Sequence, residues 1–264
     1  MIVPSPESRR LNHAPGPQRG KQILGVCAAG CAVAVLAACG SSAPANPSAS
    51  SGNSVSASSR ATPTTAATPA SLSQLSTIVL RSSDLPSGWK GTPYQQGSSD
   101  SADNAAVTEC VGTRDTDSDM VADAHSDDFS LGNATISSDA SSYRSQSDLD
   151  SDVAALHSPK LSSCFTQVMN KELTSSLPAG STIESSSITV TPGSAGGPAN
   201  IVATGSGVIK VGVSGQQVSV YLTVAFITGP LIEAEIDTEN AGAPVPASVV
   251  NPLVATVATR AAKG

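Results

Sequence analysis

Carboxylates are the most plentiful groups in this 264-residue chain that could do chemistry, with 21 Asp and Glu against 14 Lys and Arg. Asp115-Thr116-Asp117-Ser118-Asp119 and Asp123 place oxygen ligands at positions one, three, five and nine of a calcium loop. Such a loop needs glycine at position six and glutamate at twelve, where this chain has Met120 and Ser126; Asp127 and Asp128 come too late. A solvated acidic loop is the simpler expectation, and no metal site is assigned. A second set, Glu233, Glu235 and Asp237, alternates with Ile232, Ala234 and Ile236. That period of two describes a strand with one core face and one solvent face. The three acids could receive a cation, but an exposed sheet face explains them without one.

Nucleophilic catalysis finds little support. Gly205-Ser206-Gly207 and Gly212-Val213-Ser214-Gly215 are not the G-x-S-x-G elbow. Outside the N-terminal segment only His125 and His157 could act as bases, and both read more simply as surface residues. A triad whose members are distant in sequence stays open. No phosphate-cradling glycine motif is present. The chain is read as no enzyme, with no cofactor.

Five cysteines remain to be placed. Cys27 and Cys31 lie in the apolar run Ile23–Ala38, behind Arg9, Arg10, Arg19 and Lys21. That run ends in Leu36-Ala37-Ala38-Cys39-Gly40, which looks like a bacterial lipobox with Cys39 as the lipid-modified first residue of the mature protein. Sixteen helical residues span about 24 Å, short of a hydrocarbon core of about 30 Å, so residues 1–38 read as a lipoprotein signal peptide. Ser8-Arg9-Arg10 resembles the start of a twin-arginine signal, but Leu11-Asn12-His13 lacks the apolar continuation, and the general secretory route is preferred. The alternatives are an uncleaved anchor or release after ordinary cleavage. Cys110 and Cys164 are left in the folding region, and in an exported domain they read as one disulfide. The alternative is two buried free thiols. No CxxC motif or nearby histidine supports a metal there.

The elements that must position these groups follow from period and punctuation. Residues 39–70, almost all Ser, Ala, Thr, Pro, Gly and Asn, carry Arg60 as their one charge and read as a disordered tether reaching about 30 Å. Thr62-Pro63-Thr64-Thr65 and Thr68-Pro69 could carry O-linked sugars, or stay bare. Residues 71–264 form a single domain. Leu72, Leu75, Ile78 and Val79 predict a helix capped by Ser71, stopped by Asp84-Leu85-Pro86-Ser87-Gly88-Trp89. Trp89 packs that turn onto the core in the simpler reading; stacking on a ligand is the other. A helix over Ala102–Cys110 follows. His125–Leu131 and Ala134–Tyr143 read as a hairpin turning at Gly132-Asn133. Ser147 opens a helix, and Ser158-Pro159 opens a second with Leu161, Cys164, Phe165, Val168, Met169 and Leu173 on one face. Four Val/Ile/Thr-rich strands then run over 182–191, 199–213, 216–228 and 231–238, implying an antiparallel meander. A last helix carries Val249, Val250, Leu253, Val254, Val257 and Ala261, its firm part beginning at Pro252.

Taken together, the leader, the tether, the Asp84–Trp89 turn, Cys110, the Cys164 helix, the meander and the closing Ala258-Thr259-Arg260-Ala261-Ala262 helix resemble secreted actinobacterial lipoproteins. The outline is similar to the extracellular sensor-like domains of mycobacterial receptor kinases. The resemblance implies an antiparallel sheet packed by helices around a cleft, ligand sensing and no catalysis. It carries over no binding residue, and such domains often have two disulfides where this chain can form one.

The expected protein is therefore an α+β envelope lipoprotein, held at the membrane through lipid on Cys39, that binds a small amphiphile, lipid or envelope glycan. The alternative is a protein-interaction module assisting envelope assembly, with a hydrolase a distant third. Removing the leader's four basic residues and Glu7 leaves 10 basic against 20 acidic groups, net −10, which argues against nucleic acid as a partner.

Overall fold

The computed structural model describes residues 67–95, 100–114, 116, 119–177, 180–193 and 200–264. Among the described residues, eight strands form one antiparallel sheet packed by five helices. The helices are α1 (Leu72–Ile78), α2 (Asp100–Val111), α3 (Gln146–Leu156), α4 (Leu161–Ser176) and α5 (Ala247–Ala261). The strands are β1 (Lys90–Thr92), β2 (Met120–His125), β3 (Asp128–Leu131), β4 (Ala134–Tyr143), β5 (Thr182–Pro192), β6 (Ile201–Val213), β7 (Gln216–Gly229) and β8 (Ile232–Ala241). The sheet order is β1-β3-β4-β8-β7-β6-β5, with β2 also paired to β4. The expected meander is present as β5 to β8, joined at Ser214-Gly215, where both residues take positive φ as a tight primed hairpin turn requires.

The sheet is covered on both faces. On one side α1 and α5 pack Leu75, Ile78, Leu253 and Val257 against Ile136, Ile227, Ile232 and Ile236. On the other, α2, α3 and α4 pack Val107, Leu156, Phe165 and Met169 against Ala203, Ile209 and Phe226. Cys110 at the end of α2 is disulfide-bonded to Cys164 of α4. Ala70 is already buried, and its amide donates to Ser142 Oγ at 2.8 Å, so packing begins one residue ahead of the expected Ser71 boundary.

Several local expectations are corrected. The stretch His125–Leu131 is not one strand: β2 and β3 break at Ser126-Asp127 and both lie along β4. Ser126 takes up that break, its amide donating to Ser138 O at 2.8 Å and its hydroxyl accepting from Ser138 N at 2.9 Å. Helix α3 is capped by Ser145, whose hydroxyl accepts from Asp148 N, and not by Ser147. Helix α4 starts at Leu161, two residues after Pro159. Helix α5 starts at Ala247 and contains Pro252, whose missing N–H removes one helical bond near its start.

Two contacts seat α5. Gly229 lies so close beneath it that a Cβ would come within 2.0 Å of Ala261 O. Arg260 forks onto Asp84, with Nη1 donating to Oδ2 at 2.8 Å and Nη2 to Oδ1 at 2.7 Å, and Nη1 also donates to Val79 O. That pairing holds the Asp84 carboxyl below its ordinary range. Arg260→Ala is expected to cost about 2–3 kcal/mol, because a largely buried carboxylate loses its partner. A lowered urea midpoint at neutral pH checks it.

Candidate functional site: an acidic sheet face beside an apolar cavity

Strand β8 alternates as its sequence dictates, but both of its faces are covered. Ile232, Ala234 and Ile236 point into the core under α1 and α5. The acids point the opposite way, to the side on which α3 and α4 lie, and Glu235 is only 2% exposed. The expected solvent-facing stripe is therefore corrected: Glu235 is buried, while Glu233 and Asp237 are half-buried on the side of the sheet where α3 and α4 lie. Register brings further groups to the same face. On β4, Ser137 pairs with Asp237, Asp139 with Glu235 and Ser141 with Glu233; on β7, Val224 pairs with Asp237 and Phe226 with Glu235.

The consequence is a knot of like charges. Carboxylate oxygens of Asp139, Glu235 and Asp237 lie within 4.8 Å of one another. Burial pushes Asp139 up to about 7, with nearby Glu233 and Asp123 adding to the rise and His125 opposing it. Burial, followed by repulsion from neighbouring acids, raises Glu235 and Asp237 well above the ordinary carboxylate range. Glu239, one step along the same face, is pushed up to about 7 by burial alone. Protonation, or a cation, must relieve such a cluster.

At its α3 end the face closes on a second acidic pair. The Tyr143 hydroxyl donates to Asp152 Oδ2, and Glu233 Oε2 lies 3.3 Å from that Tyr143 hydroxyl. Asp152 is 1% exposed and also accepts from Thr116 Oγ1 at 3.0 Å. Burial and the two carboxylates drive the Tyr143 phenol far above its usual range, so it stays protonated. A single O–H serves one carboxylate at a time, and burial beside Asp152 raises Glu233 as well.

Beyond the acids the same face turns apolar and opens. Phe165, Met169, Leu173 and Leu177 recur every fourth residue along one face of α4, opposite Ile209, Val220, Leu222 and Val224 of the sheet. Between them is a cavity of about 460 Å³, within the 300–1,000 Å³ typical of small-molecule pockets. Gly205 and Gly207 line it without side chains; a Cβ on Gly205 would come within 2.4 Å of Val224 Cγ1. Asp237 and Glu239 reach its wall, so the acidic and apolar halves are continuous.

The residues singled out by sequence fall variously. Cys39 and the leader lie outside the described residues, as do Asp115, Asp117 and Ser118. Of the remaining calcium-loop positions, Asp119 pairs with Arg114 and Arg144, whereas Asp123 contacts His125. Neither histidine hydrogen-bonds Ser206, which is exposed in mid-strand: His157 Nε2 contacts Val202 O at 3.1 Å, and His125 stacks on Tyr94. Trp89 packs on the α1/α5 core. Sequence reasoning missed Asp139, Glu239, Tyr143 and Asp152. Asp139 had one faint signal, as the only charge in the Ser/Ala-rich β4.

No protein-family model matches the chain. No curated protein matches it either. Among solved structures it is similar to the extracellular domain of PknH from Mycobacterium tuberculosis, with 8% identity and a TM-score of 0.42 over 75% of this chain and 99% of that one. A likeness of that strength carries no conclusion about what this chain does.

Proposed function

We propose that this protein is an exported lipoprotein whose α+β domain is a non-catalytic module that binds or senses a small amphiphile, tethered to the membrane through Cys39. The cavity carries the reading. An apolar chamber of about 460 Å³ between α4 and β6–β7, walled at one side by Asp237 and Glu239, offers an apolar body one environment and a polar head another. The apolar run ending at Leu36-Ala37-Ala38-Cys39 supports the export and lipidation part.

Native mass spectrometry of the purified protein tests the ligand directly, and a fluorescent fatty acid tests the chamber. The expected result is saturable probe binding weakened at least tenfold by Leu222→Trp, which fills the chamber from a half-buried position. A probe that fails to bind, together with a clean apo mass, overturns the amphiphile reading; capture of an envelope protein under the same conditions would point to an interaction module. Labelled palmitate that remains on a Cys39→Ala variant would overturn the anchor.

A further inference from the structure

We propose that Asp139, Glu235 and Asp237 form a divalent-cation site on the covered face of the sheet, taking a hard ion such as calcium, magnesium or manganese. Three carboxylate oxygens within 4.8 Å of one another are separated by about twice a calcium–oxygen bond of 2.3–2.6 Å, so one ion can touch all three. An all-oxygen donor set selects that class of metal over zinc or copper.

An independent observation points to a ligand. Glu235 is 2% exposed, and its Oε1 has no hydrogen-bond partner, nor has buried Asp237 Oδ2, although the two carboxyls also contact each other and could share one proton. Buried carboxylate oxygens left unpaired are costly, and native folds satisfy them with a donor or a metal. No lysine or arginine among the described residues forms an ion pair with any acid of this face. The described protein opposes the charge of this face only through His125, which acts on Asp139 and also pairs with Asp123. Register explains the convergence: Asp139 stands directly across from Glu235, and Asp237 is the next residue on the same face of β8. Asp237 also lines the cavity, which leaves coordination positions open toward it.

The cation site depends on the three carboxylates and on no amphiphile, so its test is separate from that of the chamber. Full-length protein stripped with a chelator is titrated with calcium, magnesium and manganese chlorides, following thermal unfolding and the loss of the free manganese resonance signal. The expected result is one ion per chain and a Tm raised by about 5–10 °C at a cation concentration a hundredfold above Kd. Asp139→Asn combined with Asp237→Asn removes buried repulsion; it is expected to be more stable than wild type without metal and to lose the response. Glu235→Gln, the milder change, is expected to weaken binding at least tenfold. No Tm shift and no manganese binding in the wild type, or an unchanged response in the double variant, overturns the site.

Discussion

Raising the pH from 5 to 8 without divalent cations is expected to lower the stability of this protein by several kcal/mol. The groups responsible are the carboxyls on the covered face of β4 and β8. Asp139 and Glu239 are each pushed up to about 7 in the folded protein, mainly by burial. Unfolded, each returns to an ordinary carboxylate value of about 4. The native state therefore binds more protons between those limits, and stability falls as the pH rises. A displacement of about three units at about 1.4 kcal/mol per unit makes the full contribution of Asp139 roughly 4 kcal/mol, of which about two units, or roughly 3 kcal/mol, are lost between pH 5 and 8. That is a large share of the 5–15 kcal/mol typical of a domain. Asp84 acts with the opposite sign: its carboxyl is depressed, first by the Arg260 hydrogen bond, so its contribution is lost in acid, below about pH 4. Urea unfolding across the range is expected to show a maximum in mild acid and a decline toward pH 8. Asp139→Asn should flatten the decline. Stability that stays level or rises over this interval contradicts the buried-acid account.

Replacing Cys110 and Cys164 together with alanine is expected to lower stability by about 4 kcal/mol. The bridge closes a loop with a sequence separation of 54, and the chain-entropy estimate for a loop of that length is about 4 kcal/mol. The effect should also be local. Helix α2 packs on α4 with Val107, Val111 and Thr108 buried, and the bridge ties it there. Amide hydrogen exchange is expected to rise first in α2, while β6–β8 stay protected until global unfolding. Equal loss of protection in both would place the role of the bridge in the whole sheet.

Much of this architecture is legible in the sequence, where the signal is local. Strands β5–β8 are set apart by the change from helical to strand period and by Ser214-Gly215 and Gly229-Pro230. The α4 stripe of Phe165, Met169 and Leu173 follows from helical spacing and faces inward. The split edge of β2 and β3 was not legible, because Ser126 and Asp127 look like any polar pair; the partner that divides them is Ser138 on β4. The start of α5 is not legible, because Pro252 suggests a boundary that the helix tolerates within its early turns.

The candidate site divides along the same line. Alternation along Ile232–Asp237 determined that β8 has one apolar and one acidic face, since successive side chains point to opposite sides. It did not determine what covers the acidic one. That depends on α3 and α4, over fifty residues earlier in the chain, packing across the sheet, and on β4, which brings Asp139 beside Glu235 across an interval of 96 residues. A period of two is a property of one strand; desolvation is a property of everything stacked against it. The sequence by itself therefore determined that the acids share a face, and the tertiary structure alone decided that the face is covered, with Glu235 buried and its neighbours half-buried.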